Sequence, residues 1–313
     1  MSLISAVLFV GMLAFAINAL ADQNSSPRHL FGRDPDFLVD ESCTGDNLAI
    51  LNQAIPDATT LADAAFTLVS ALFGTSEQRA AVNAQTPQVE ALLVALFDPQ
   101  FESDSDDDDG SYEGDDESAD GVTVGDTETL PTVNQDHLNP GDAFQIKKAF
   151  DVEDTWIGPT KVYCGEDFVK QSEFASIAKC DRETNAPFAY SLGPDGPDFP
   201  DRTIVLCQLV FDSFPKSIAE LSTPNVGDSL RNFFTLGGTL VHEQMHLQDI
   251  SRGDPASKFV DCVGLTQTKS LGFPPHANAQ SYAWFVTAVI PLTIGFDWVT
   301  GFAMNVAVVN ATQ

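Results

Sequence analysis

Apolar residues recur at helical intervals in the first third of the chain. Residues 47–73 and 78–97 are rich in alanine and leucine, and the spacing predicts two helices, with Pro56 as a break in the first. A third helical pattern covers residues 236–250. At about 100° per residue, Phe233, Leu236, Leu240, Leu247 and Ile250 form one apolar stripe, while His242, His246 and Asp249 fall on roughly the opposite side. That pattern predicts a helix with one buried face and one face offered to a cleft. Residues 155–164 read as strand, Gly-Pro turn, strand, and residues 202–211 as a buried strand. Residues 277–290 read as a further helix. The apolar stretch 282–309 carries Asp297 as its only charge and is interrupted by Pro291, Gly295 and that aspartate, so it reads as buried helices rather than a membrane span.

Composition divides this pattern into regions. Residues 1–21 read as a secretory signal, with an apolar run over 3–17 followed by Ala19-Leu20-Ala21, and the run is shorter than the roughly 20 residues that a span needs. Secretion makes Asn24-Ser25-Ser26 and Asn310-Ala311-Thr312 glycosylation acceptors. Residues 22–99 form a helical pro-region or accessory region without a catalytic constellation. Residues 100–138 form an acidic spacer. Glu102 to Asp120 hold eleven acidic and no basic residues, too little apolar surface to offset the entropy of ordering, which predicts disorder. The spacer is not a calcium loop, because Ser105 stands at the first ligand position and Asp116 where a bidentate glutamate belongs. Residues 139–313 form the compact domain, long enough to bury a substantial core. Lys147-Lys148 near its start reads as a solvated pair, with a processing site as the alternative.

The formal net charge of −30 argues against nucleic acid as a partner. None of the five cysteines, Cys43, Cys164, Cys180, Cys207 and Cys262, are spaced C-x-x-C, which fits an oxidising compartment. Two disulfides are expected from Cys164 onward, with Cys43 free or intermolecular.

The chemistry concentrates in His242, Glu243 and His246, spaced H-E-x-x-H. On a helix the two histidines lie one above the other, so both imidazoles can reach one metal, and Glu243 beside them can take a proton from water. In a chain with five histidines this spacing arises by accident roughly once in several hundred sequences. No glutamate follows Glu243, which excludes zinc peptidases with a downstream glutamate ligand. Asp249 and Arg252 replace the glycine and final histidine of the extended three-histidine motif. The third-ligand candidates are then Asp249, Asp254, Asp261, His276 and Asp297. Asp249 is too near on the same helix to approach from a third direction. An aspartate on a returning loop has the better geometry, and Asp261 qualifies.

In order along the chain, the apolar-Cys strand Ile204-Val205-Leu206-Cys207, the H-E-x-x-H helix, Asp261 followed closely by Gly264, and Asn278-Ala279-Gln280-Ser281-Tyr282-Ala283 resemble the aspzincin metallopeptidases, the family of deuterolysins and peptidyl-Lys metalloendopeptidases. The resemblance covers roughly residues 163–288. It implies an α+β, zincin-like domain with an active-site helix, here preceded by a mainly helical N-terminal region. It also implies a secreted zinc endopeptidase acting on protein or peptide substrates, often made with a propeptide and without stable membrane insertion after signal removal. Carried over, His242, His246 and Asp261 are zinc ligands and Glu243 is the general base. The family pattern places a tyrosine before the glycine that follows the aspartate, whereas Asp261-Cys262-Val263-Gly264 is one residue shorter and has none. Tyr282 is the candidate oxyanion stabiliser in its stead. The alternative is a peptidase-like secreted binding or effector protein that keeps the metal site without efficient turnover.

Overall fold

The computed structural model describes residues 37–85, 88–97, 140–152, 156, 158–173, 175–181, 187–193, 201–248, 278–290, 295–298 and 301–305. The signal segment, both glycosylation acceptors and the acidic spacer lie outside the described residues. The architecture is α+β, with helices packed on a small mixed sheet.

The described N-terminal elements are β1 (Phe37–Val39), α1 (Gly45–Leu72), α2 (Ser76–Gln85) and α3 (Gln88–Phe97). In α1, Leu51, Ala54, Ala58, Leu61, Ala62, Ala65 and Val69 recur at three- and four-residue intervals and are all buried. Pro56 does not break the helix as expected; α1 runs through it for 28 residues. Pro56 and Asn52, whose carbonyl loses its helix donor, are both exposed, so water can satisfy that group. The second expected helix is described as α2 and α3, on either side of residues 86–87, and an Arg79–Glu90 ion pair links them.

After α4 (Pro140–Phe150) come β2 (Thr160–Cys164), the short α5 (Asp167–Lys170), β3 (Ala189–Leu192), β4 (Thr203–Leu206) and α6 (Gln208–Ser213). The expected strand at 202–211 gives way to helix after Leu206, with Cys207 at the N-cap position of α6. Before β2, Gly158 at φ 85° makes the turn, a left-handed conformation that favours glycine. The sheet order is β1-β2-β4-β3, with β1 and β4 parallel to β2 and β3 antiparallel to β4. Because successive strand side chains point to opposite faces, Ile204 and Leu206 join the main core while Val205 and Cys207 join a smaller cluster with Val169 and Tyr190.

The main core is completed by α7 (Leu236–His246) and α8 (Ala279–Ala288). It is continuous from Cys43 to Ala303. The described part of the expected pro-region or accessory region therefore shares its core with residues beyond 139, and β1 adds an edge strand to the same sheet. Two disulfides are present, Cys43–Cys164 and Cys180–Cys207. This corrects the expectation for Cys43, which is paired. The partners lie 121 positions apart and meet only because β1 and β2 are neighbours. Cys262 lies outside the described residues. Lys147 and Lys148 occupy the last turn of α4, and the Lys147 ammonium lies 5.5 Å over the Phe66 ring of α1. The stretch after α8 is not helical where described: β5 (Phe296–Asp297) and β6 (Met304–Asn305) pair antiparallel. Among the described residues, no helix is long and apolar enough to cross a membrane.

Candidate metal centre

The helix that carries the metal motif is fixed at both ends and along one side. At its start the Thr235 hydroxyl accepts from the Gly238 N–H at 3.2 Å, capping α7 where an otherwise unpaired donor would remain. At its end Leu247 adopts a helical φ/ψ, its carbonyl accepts from the Arg202 guanidinium, and the Gln248 amide donates to the Ala149 carbonyl at 3.1 Å. The hydroxyl of Thr160 on β2 donates to the Gln244 side chain at 3.4 Å, linking helix to sheet.

The side facing α1 is held by close approach. A Cβ on Gly237 would stand 3.0 Å from the Asp57 Cβ and 3.1 Å from the Ala58 nitrogen, so the two helices touch at a glycine. Asp57 also accepts from the Ile218 N–H at 2.8 Å, tying the segment before α7 to α1. Gly238 differs, since its added Cβ would meet only ordinary contacts at 3.6 Å. None of these supports was identified from the sequence. The Gly237-Gly238 pair was the available signal, because glycine inside a helix costs about 1 kcal/mol and calls for a packing reason.

Against the expectation of a two-faced helix, α7 is buried on all sides from Leu236 to Met245. The cause is tertiary: α1, α8 and strands β3 and β4 all pack on it. His242 and Glu243 are buried and His246 is partly buried. The Nε2 atoms of His242 and His246 face each other at 3.1 Å, with ring planes 78° apart. Burial pushes the pKa of His242 down to about 4, so its imidazole is neutral at pH 7, the form that ligates a metal.

At 3.1 Å the two ring nitrogens are hydrogen-bonded to each other, and their spacing is also compatible with a shared zinc ion. Two nitrogens at about 2.0–2.1 Å from a tetrahedral ion stand roughly 3.3 Å apart, close to the spacing here. Among the described residues, no group of three His, Cys, Asp or Glu side chains is arranged to hold a metal. Asp297 is buried on β5, beside β6. Asp249, Asp254, Asp261 and His276 lie outside the described residues.

Tyr282, the candidate oxyanion stabiliser, is placed in the core. Its ring is 2 % exposed and packs edge-on against Phe97 and Phe150 at centroid distances of 5.0 and 5.2 Å. The Asn278 side chain caps α8 by accepting from the Gln280 N–H at 3.0 Å, which accounts for the asparagine at that helix start. No family model matches the chain, and neither a curated protein nor a solved structure matches it.

Proposed function

We propose that the chain is a secreted zinc-dependent endopeptidase, of the aspzincin type that its motifs resemble, acting on protein or peptide substrates. The observation that carries this reading is the convergence of the His242 and His246 Nε2 atoms at 3.1 Å on a helix that also bears Glu243. His242 and His246 would hold the zinc, with Asp261 as the third ligand that the resemblance implies. When bound, zinc supplies a Lewis acid and lowers the pKa of a coordinated water. Glu243 takes the proton from the attacking water and returns it to the leaving amine. Thr235, Thr160, Arg202 and Gln248 keep the helix, and so the imidazole pair, in one orientation. The two disulfides suit an extracellular site of action.

A specific observation favours a second reading, a secreted binding or effector protein that keeps zinc but turns over poorly. The segment 261–264 has no tyrosine at the position where the family pattern places the oxyanion donor. Loss of one such donor commonly costs about a hundredfold or more in rate. Zinc stoichiometry of the folded protein, with casein hydrolysis followed with and without a chelator, separates the two. One zinc per chain with chelator-sensitive hydrolysis supports the peptidase; zinc without hydrolysis supports the binding protein; no zinc removes both.

A further inference from the structure

We infer that residues 37–97 are a resident half of the domain that bears α7, so a cut anywhere between residues 98 and 139 leaves a two-chain, disulfide-linked molecule and releases nothing. The inference holds whether or not the chain hydrolyses peptides.

Three kinds of contact carry it. The first is backbone pairing: β1 lies parallel to β2 in register Phe37↔Thr160 to Val39↔Val162, the Asp40 N–H donates to the Val162 carbonyl at 2.9 Å, and the Cys164 N–H donates to the Ser42 hydroxyl at 3.2 Å. Removing β1 would strip those partners from an inner strand and turn it into a sheet edge. The second is packing. Ala54, Asp57 and Ala58 of α1 lie 3.0–3.3 Å from where a Cβ on Gly237 of α7 would stand, closer than ordinary contact, and Phe97 at the end of α3 packs against Tyr282 and Phe285 of α8. Apart from Asp57 these contacts are apolar and buried, so separating the halves would expose the side of α7 that α1 covers and the face of α8 that holds Phe97. The third is covalent, the Cys43–Cys164 disulfide across the two halves.

The dibasic pair agrees with retention. Lys147 and Lys148 lie in α4, between the fully buried Ile146 and the fully buried Ala149 and Phe150. A processing protease binds its substrate as an extended strand, and α4 must unwind out of the core to supply one. A removable N-terminal segment is therefore confined to the residues before Phe37. The acidic tract, expected as a spacer between regions, is in chain order an insertion within one core.

The test uses the full chain with the recognition sequence of a site-specific protease inserted between Gly114 and Asp115. After complete cutting, retention requires one band in denaturing gels without reductant, two bands with reductant, and no shift in native elution volume. Two bands without reductant, or separate native peaks, overturn it. A second arm uses the cut protein after reduction, or its Cys43→Ser/Cys164→Ser form, under native conditions. Co-elution of the halves, or loss of the soluble folded state when they part, supports a shared core. A folded, monodisperse C-terminal piece free of the N-terminal one overturns it. Zinc bound per C-terminal half, read in the same fractions, tests the metal site separately, so its failure leaves the retention result intact.

Discussion

Two of the buried carboxylates, Glu166 at 3 % exposure and Glu243 at 5 %, stand on different elements, one before α5 and one within α7. Burial alone does not tell them apart. Glu166 accepts from the Lys179 and Cys180 N–H groups at 2.7 Å each and from the Tyr190 hydroxyl at 3.0 Å, with the Lys170 ammonium 3.4 Å away. It fastens the loop that Cys180 also ties to the end of β4. Desolvation pushes its pKa up, but the hydrogen bonds from Cys180, Lys179, Tyr190 and Lys170 outweigh it and hold the carboxyl below the ordinary 4.5. Glu243 follows His242, whose ring nitrogen faces that of His246, on a helix that other residues hold in place. The partners of Glu166 make it a fastener, whereas the role proposed for Glu243, next in sequence to one of two converging imidazoles, is proton transfer.

The largest effect that can break this comparison is on catalysis. Glu243→Gln should lower casein hydrolysis by about 10²–10⁴-fold while bound zinc stays at the wild-type level, because only the proton carrier is lost. Persistent hydrolysis would remove the general-base role. Next comes stability. Glu166→Ala should destabilise the fold by about 2–4 kcal/mol in urea unfolding, since several buried donors lose their acceptor, with hydrolysis per folded molecule unchanged. An unchanged midpoint would show that Glu166 is not the fastener.

The packing that holds Glu243 in place sharpens the contrast at a smaller scale. Gly237→Ala should cost about 1–3 kcal/mol by forcing α7 off α1. Gly238→Ala meets only ordinary contacts and should be neutral or stabilising by up to about 1 kcal/mol. Equal behaviour of the two variants in thermal unfolding would mean that the α1 contact does not set the position of α7. The smallest effect is in pH dependence. A carboxyl whose folded pKa lies below its unfolded one contributes stability that is fully present above about pH 4.5 and is lost as pH falls through the folded value. The stability difference between wild type and Glu166→Gln should therefore shrink below pH 4.5, and a difference that grows on acidification would reverse the assignment.

The two disulfides show the same dependence on distant partners. In the chain-entropy description, a loop spanning 121 positions restricts the unfolded chain by about 5 kcal/mol, against about 3.5 kcal/mol for the span of 27 at Cys180–Cys207. The larger constraint is the one that spacing along the chain did not reveal, because Cys43 and Cys164 become neighbours only through β1 and β2.

What the sequence determined by itself is local. The apolar period specified α1 and α7, the H-E-x-x-H spacing put both imidazoles on one side of a helix, and cysteine usage pointed to disulfides. The first two follow from residues within a few turns of one another, where side-chain direction is set by helix geometry, and the third from composition alone. Tertiary structure decided the rest. It buried α7 on all sides, packed Tyr282 between Phe97 and Phe150, carried α1 through Pro56, ended β4 at Leu206, and joined the N-terminal helices to the domain they precede. Periodicity along a chain reports which face of an element is apolar, but the partner that covers that face is chosen by long-range packing.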